Sequence, residues 1–221
     1  MNDPAGAEAV KADVAVEAVS RADPMLAAFI DRAGPYETRG GRTGDGDYFG
    51  SLASAIVFQQ LAGRAAAAIH RRVVEAIGGA MNPAAILAAT PETLRGAGLS
   101  NNKMLALQDL AAKTLDGTVP LDGIEALSDD DIVERLVAVR GIGRWTAEMF
   151  LLFELRRPDV WPVDDLGVRN GWALIHELAA MPAPRELQAL GDPFRPYRST
   201  VALYCWHAVH VSRGQVPLPG G

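Results

Sequence analysis

The sequence holds a single cysteine, Cys205. An intramolecular disulfide, a cysteine-ligated zinc site and an iron–sulfur cluster each need several, so all three are excluded. No apolar run is long enough to cross a bilayer, and no membrane partner is expected. The N-terminus is acidic and alanine-rich, without the basic start and apolar stretch of a signal peptide, so a cytoplasmic protein is expected. No stretch alternates apolar and polar residues with β-branched enrichment, and no repeat of solenoid period is present. An all-α chain follows. Positive charge is also short: 21 Lys and Arg against 27 Asp and Glu leave −6, which counts against a nucleic-acid partner because phosphate binding is largely cation-driven. Half of that excess lies in residues 1–24, where Asp3, Glu8, Asp13, Glu17 and Asp23 face only Lys11 and Arg21.

With 49% apolar and 22% charged residues the chain is expected to be soluble and cored. Its 221 residues make one sizeable domain or two small lobes sharing a cleft. Helix punctuation is frequent. Asp23-Pro24, Asn82-Pro83 and Thr90-Pro91 each pair a capping side chain with a proline suited to the first helical position, Ser100 caps another start, and Ser128-x-x-Asp131 reads as a capping box. These signals predict helices over 24–33, 48–59, 64–77, 164–178, 184–190 and 196–211, besides those that begin at 83, 91, 101 and 129. Residues 1–22 read as a short helix or a tail of partial order, and PYETRGGRTGDGD at 35–47 as a loop.

The stretch LVAVRGIGRWTAEMFLLFELRRPDVWPVDD, residues 136–165, carries the chemistry. Two glycines two apart, Gly141 and Gly143, separate an apolar helical end from a second helix starting near Arg144, which makes a helix-hairpin-helix. Glycine lets a phosphate approach the backbone, and the amides that open the second helix are unpaired donors at its positive dipole end. Gly141, Ile142, Gly143 and Arg144 therefore form a candidate phosphate clamp that needs few cations. Arg64 and Lys103, each in the first turn of a predicted helix, are further phosphate candidates, with an ordinary solvated surface role as the alternative. Asp164-Asp165 stands before another helical pattern. Adjacent residues at a helix start point in different directions, so Asp164 is expected to cap and Asp165 to face outward; the alternative is that both only cap. His207 and His210, three apart on a helix, lack further convergent ligands, so no metal site is expected.

At G-I-G-R-W-T-A followed by P-D-V-W-P-x-D-D-L the sequence resembles the helix-hairpin-helix DNA glycosylases, and within them the 3-methyladenine DNA glycosylase II branch. The resemblance runs over roughly residues 48–213, with weaker matches at AIVFQQLAGRAA and RPYRSTVALYCWH. It implies two helical lobes, residues 46–157 and residues 24–45 with 158–221, behind an N-terminal extension of residues 1–23. The hairpin and Asp165 would border the cleft between them. The β-rich domain that precedes this module in some members is not expected. The four-cysteine cluster of the endonuclease III type is not expected, since Cys205 is the single cysteine and the last residues are RGQVPLPGG.

The resemblance also implies a function, removal of alkylated purines such as 3-methyladenine and 7-methylguanine from double-stranded DNA by a monomer. It makes Asp165 catalytic, as the carboxylate that stabilises an oxocarbenium-like sugar and orients water. Trp145 takes the place of the lysine that relatives with lyase activity use, so no Schiff base forms. Its indole face suits a flat, cationic base instead. Trp206, by its spacing from Arg198-Ser199, is the second pocket aromatic, with His207 beside it; a core role is the alternative for each tryptophan. Met149 and Leu166 stand where the family has pocket tyrosines. Gln60 falls where a side chain plugs the duplex after base extrusion, against a turn-satisfying amide as the alternative. No cofactor is required, although hairpins of this family in some cases hold a monovalent cation with their carbonyls. The competing functions are a glycosylase of the same fold for oxidised or mispaired bases, and a non-catalytic hairpin module.

Overall fold

Capping side chains followed by proline open several helices, in the register the sequence indicates. The computed structural model describes residues 4–36 and 47–215, with side chains from residue 13 onward. Most of the expected loop at 35–47 lies outside the described residues, as does the end of the chain from 216. Helix α1 spans Pro4–Ala22 and α2 Pro24–Ala33. Asp23 caps α2, accepting from the amides of Met25 and Leu26 at 2.8 and 3.1 Å. Helices α3 (Tyr48–Phe58), α4 (Gly63–Ala76), α5 (Pro83–Ala88), α6 (Pro91–Gly96) and α7 (Asn101–Leu115) follow. Then come α8 (Asp129–Val137), α9 (Arg144–Met149), α10 (Leu166–Ile175), α11 (Pro184–Leu190) and α12 (Arg198–Ser212). No strand occurs among the described residues.

Two compact units divide these elements: residues 41–155, and residues 1–40 together with 156–221. In the contiguous unit, α3, α5 and α7 bury Leu52, Ile56, Ile86, Leu107 and Leu110 completely or nearly so, and α8 packs on α9. In the other, α10 lies across α12, and α1 and α2 pack against α12. Helix α1 is part of that unit, holding Val19 and Ala15 in its core. Its alanines favour helix locally, and the packing of Ala15 and Val19 against its neighbours adds to that.

Helix α10 begins at Leu166 and ends at Ile175, inside the expected 164–178, and two further helix ends and one cap also differ from expectation. The helix after the hairpin does not run on as regular α-helix: after Met149 it widens into a π-turn over Phe150–Glu154, with the Leu155 amide bonded to Phe150 O, and Arg156 then takes a left-handed φ of 51°. Helix α12 starts at Arg198 instead of Pro196, with Tyr197 at its N-cap. The capping box at Ser128 is half formed. Ser128 Oγ accepts from the Asp131 amide at 3.2 Å, but the short Asp131 carboxylate meets the Ser128 hydroxyl at 2.6 Å, where a glutamate would reach the backbone.

Candidate functional site

The hairpin belongs to the contiguous unit. Gly141 has φ 80°, the left-handed region that costs an L-residue strain, and a Cβ there would come within 3.2 Å of Ala106 Cβ. Gly143 is different. Its backbone is extended at φ −93° and ψ 171°, and nothing lies within 4 Å of where a Cβ would stand. It caps α9 without a side chain, which leaves the first-turn amides fronted by bare backbone. Between the glycines, Ile142 is 4% exposed and gives its amide to Val139 O at 3.1 Å. The expectation for Ile142 is corrected accordingly: it anchors the turn from inside and offers no donor outward. Arg144 is exposed, with Nε donating to buried Glu148 at 2.9 Å. Trp145 is 49% exposed, so it is not a core residue, and Met149 is half-buried.

Helix α7 holds this turn. Asp109 Oδ2 accepts from the Arg140 amide at 2.7 Å and from Lys113 Nζ at 2.6 Å, and Lys113 also donates to Ala138 O at 2.9 Å. Burial pushes the Asp109 carboxyl up, but the Arg140 amide and Lys113 ammonium outweigh it and hold the group below the usual carboxylate range. Sequence reasoning missed both residues, because an Asp and a Lys four apart on a helix look like a surface pair. Gln59 Nε2 adds a bond to Gly141 O at 2.9 Å. The turn-satisfying amide is therefore Gln59, while Gln60 is exposed and left-handed at φ 55°.

Lys103 is corrected as a phosphate candidate. Its ammonium donates to Val57 O and Gln59 O, both at 2.7 Å, and closes the C-terminal end of α3, where the dipole favours a cation. Burial lowers its pKa. Arg64 is exposed in the first turn of α4.

Asp165 belongs to the other unit, and the capping role falls on Asp165 where Asp164 was expected to take it. Asp165 is the N-cap of α10, with φ −72°, ψ 121° and Oδ1 accepting from the Val168 amide at 2.8 Å; Asp164 is exposed. A capping carboxylate must sit one residue before the first helical position to reach the third amide of the helix, and α10 begins at Leu166. Capping does not consume the group. Oδ1 also accepts from Trp206 Nε1 at 2.8 Å, so Trp206 is brought directly onto Asp165. The small residues of α10 make that possible: a Cβ on Gly167 would fall 2.6 Å from Trp206 Cδ1, and one on Gly171 would strike the Cys205 carbonyl. Glycines four apart on one helix face were a legible signal that sequence reasoning passed over.

The turn-rich segment leading to Asp165 is pinned to α12 and α11. Arg198 donates to both Asp159 carboxylate oxygens at 2.6 and 2.8 Å, Ser199 Oγ takes the Val160 amide at 2.9 Å, and Trp161 Nε1 donates to Leu187 O at 2.8 Å. Burial raises the Asp159 carboxyl, but Arg198 outweighs that and keeps it below its ordinary value. Leu166, just past the cap, is 64% exposed. His207 is corrected as a pocket residue: it is 3% exposed, packed against Phe29, Tyr36 and Tyr204, because α12 turns it toward α2. No group of metal-ligating side chains occurs among the described residues, and no described helix is long and apolar enough to cross a membrane.

A glycine-turned helix hairpin lies in one unit and a capping carboxylate bonded to an indole lies in the other. The model of the HhH-GPD superfamily of base excision DNA repair proteins matches residues 53–196, and the chain belongs to that superfamily. It is 37% identical to DNA-3-methyladenine glycosylase 1 of Schizosaccharomyces pombe over 158 residues, 70% of this chain and 69% of that protein. Among solved structures it is similar to the DNA-3-methyladenine glycosidase of Bacillus halodurans, with TM-score 0.81, 31% identity and coverage of 91% and 92% of the two chains. It is also similar to Schizosaccharomyces pombe Mag1 in complex with abasic DNA, with TM-score 0.74, 31% identity and coverage of 92% and 97%.

Proposed function

We propose that the protein is a monofunctional DNA glycosylase that hydrolyses the N-glycosidic bond of alkylated purines, 3-methyladenine and 7-methylguanine among them, in double-stranded DNA. The observation that carries the reading is Asp165, held through Oδ1 by the Val168 amide and the Trp206 indole in a member of this superfamily. Cleavage leaves positive charge on the sugar. A carboxylate whose orientation is already set stabilises that charge without reorganising, and it accepts a proton from the attacking water. In this reading the hairpin amides at Gly143 and beyond hold phosphates, Gln60 fills the space left by the flipped nucleotide, and the exposed face of Trp145 stacks on the base. Arg64 supplies a phosphate contact.

Trp145 has no amine, so we infer hydrolysis without strand cleavage. The chemistry uses no cofactor. A monovalent cation at the hairpin would share carbonyls that already accept bonds, those of Ala138, Val139 and Gly141. The test is release of free bases from methylated DNA, identified by chromatography, beside duplexes with single oxidised or deaminated lesions. Free methylated purines, intact abasic strands and no borohydride-trapped complex are expected. Release confined to oxidised or mispaired bases moves the substrate class, and no release with DNA binding intact leaves a non-catalytic module.

A further inference from the structure

We propose that Gln59 and Lys103 are positioning residues that couple the duplex-plugging loop to the phosphate clamp, so that base extrusion is registered to a held backbone. The inference rests on the glycosylase reading above, in which Gln60 enters the duplex. Gln59 is bonded at both ends. Its backbone carbonyl accepts from Lys103 Nζ at 2.7 Å, and its side-chain amide donates to Gly141 O at 2.9 Å, in the middle of the hairpin turn. The next residue, Gln60, stands left-handed at φ 55°. That conformation is strained for a non-glycine residue and persists where the surroundings over-determine it.

Helix α7 is the common template. Lys103, Ala106, Asp109 and Lys113 follow one another at spacings of three, three and four, which places them along one helix face. Lys103 holds the loop, Ala106 lies under Gly141, and Asp109 with Lys113 holds residues 138–140. Two elements that act on DNA are thus fastened to one rigid rod, and Gln59 closes the link between them. Flipping has to overcome the unstacking and unpairing of the target base. A plug that drifts relative to the clamp loses that work to loop motion, whereas a plug fixed to it transmits binding energy into extrusion.

Gln59→Met removes the donor and keeps the length of the side chain, and Lys103→Met removes the other bond. Three readouts on the full-length protein separate coupling from general damage: affinity for undamaged duplex, single-turnover excision of a paired alkylated base with 2-aminopurine beside it to report unstacking, and excision of the same lesion in an unpaired bulge. Gln59→Met is expected to leave duplex affinity within about twofold, to lower paired-lesion excision and the fluorescence rise by about tenfold, and to spare the bulged lesion. Lys103→Met, which removes the bonds to both Val57 and Gln59 carbonyls, is expected to show the same pattern of ratios together with a lower melting temperature. Losses of equal size in all three readouts, or in none, overturn the coupling. If the unaltered protein excises nothing, the glycosylase reading fails and this proposal with it.

Discussion

The hairpin and the Asp165 site are made by different physics. The hairpin's shape is mostly local: one left-handed glycine, one extended glycine and a buried isoleucine between them set the turn. Helix α7 then braces it with two short bonds, from Asp109 to the Arg140 amide and from Lys113 to the Ala138 carbonyl. The Asp165 site takes its shape from a helix crossing, since Trp206 reaches the carboxylate only because α10 presents Gly167 and Gly171 where α12 passes. A local motif survives small changes in packing, while a crossing-dependent site fails when a single methyl group separates the helices.

The largest effect that would sharpen this contrast is chemical. Asp165→Asn keeps the cap, since both residues serve well there, so stability should hold while charge is lost. Excision of a neutral lesion should fall by roughly 10²–10³, about 3–4 kcal/mol, with affinity for an abasic analogue retained. Because 7-methylguanine leaves as a cation, its loss should be smaller. Asp164→Asn should change neither rate nor melting temperature; single-turnover rates and thermal melts on both variants decide the assignment within the pair.

Steric changes come next. Gly171→Ala drives a methyl onto the Cys205 carbonyl and should cost about 1–3 kcal/mol or more in stability, read by urea unfolding. Gly167→Ala displaces the Trp206 indole and should lower excision more than it lowers stability. In the hairpin, Gly141→Ala forces an L-residue to φ 80° and should cost about 1–2 kcal/mol. Gly143→Ala meets nothing within 4 Å, so its fold should hold while affinity for every DNA sequence drops together. Equal destabilisation by Gly141→Ala and Gly143→Ala would break the account of the turn.

Acidification offers a smaller test. Burial lowers the pKa of His207 from 6.5, with His210 on the same helix adding to the shift and the Ala33 carbonyl opposing it. The folded state therefore holds the neutral ring while the unfolded chain takes a proton, so stability is full above pH 6.5 and is lost as pH falls toward the depressed value. Replacing His207 by Phe should lessen the fall in melting temperature between pH 7 and about 5, leaving the part that His70, also lowered by burial, contributes. An unchanged pH dependence would remove His207 as its cause. Asp109 and Asp159, whose pKa values are lowered, should act only at more acid pH, through the range below 3.8.

The smallest expected effect is the salt dependence of DNA binding. Backbone amides release fewer counterions than lysines, and Lys103 and Lys113 are committed to carbonyls within the fold. The slope of log affinity against log salt should be shallower than for a protein making about 6–10 phosphate contacts, and a slope that steep would assign the clamp to side-chain cations.

Much of this molecule is determined within short windows of sequence. Cap and proline pairs at 23–24, 82–83 and 90–91 start helices because they satisfy amides a few residues away, and Gly141-Ile142-Gly143 sets the hairpin for the same local reason. Tertiary structure alone decided which aspartate caps α10, since the helix start was ambiguous by one residue until α12 fixed the crossing. It also decided that Lys103 serves carbonyls 44 and 46 residues away and that His207 turns into a core. Long side chains and adjacent helical residues have several directions open to them in sequence, and only the packed neighbours select one.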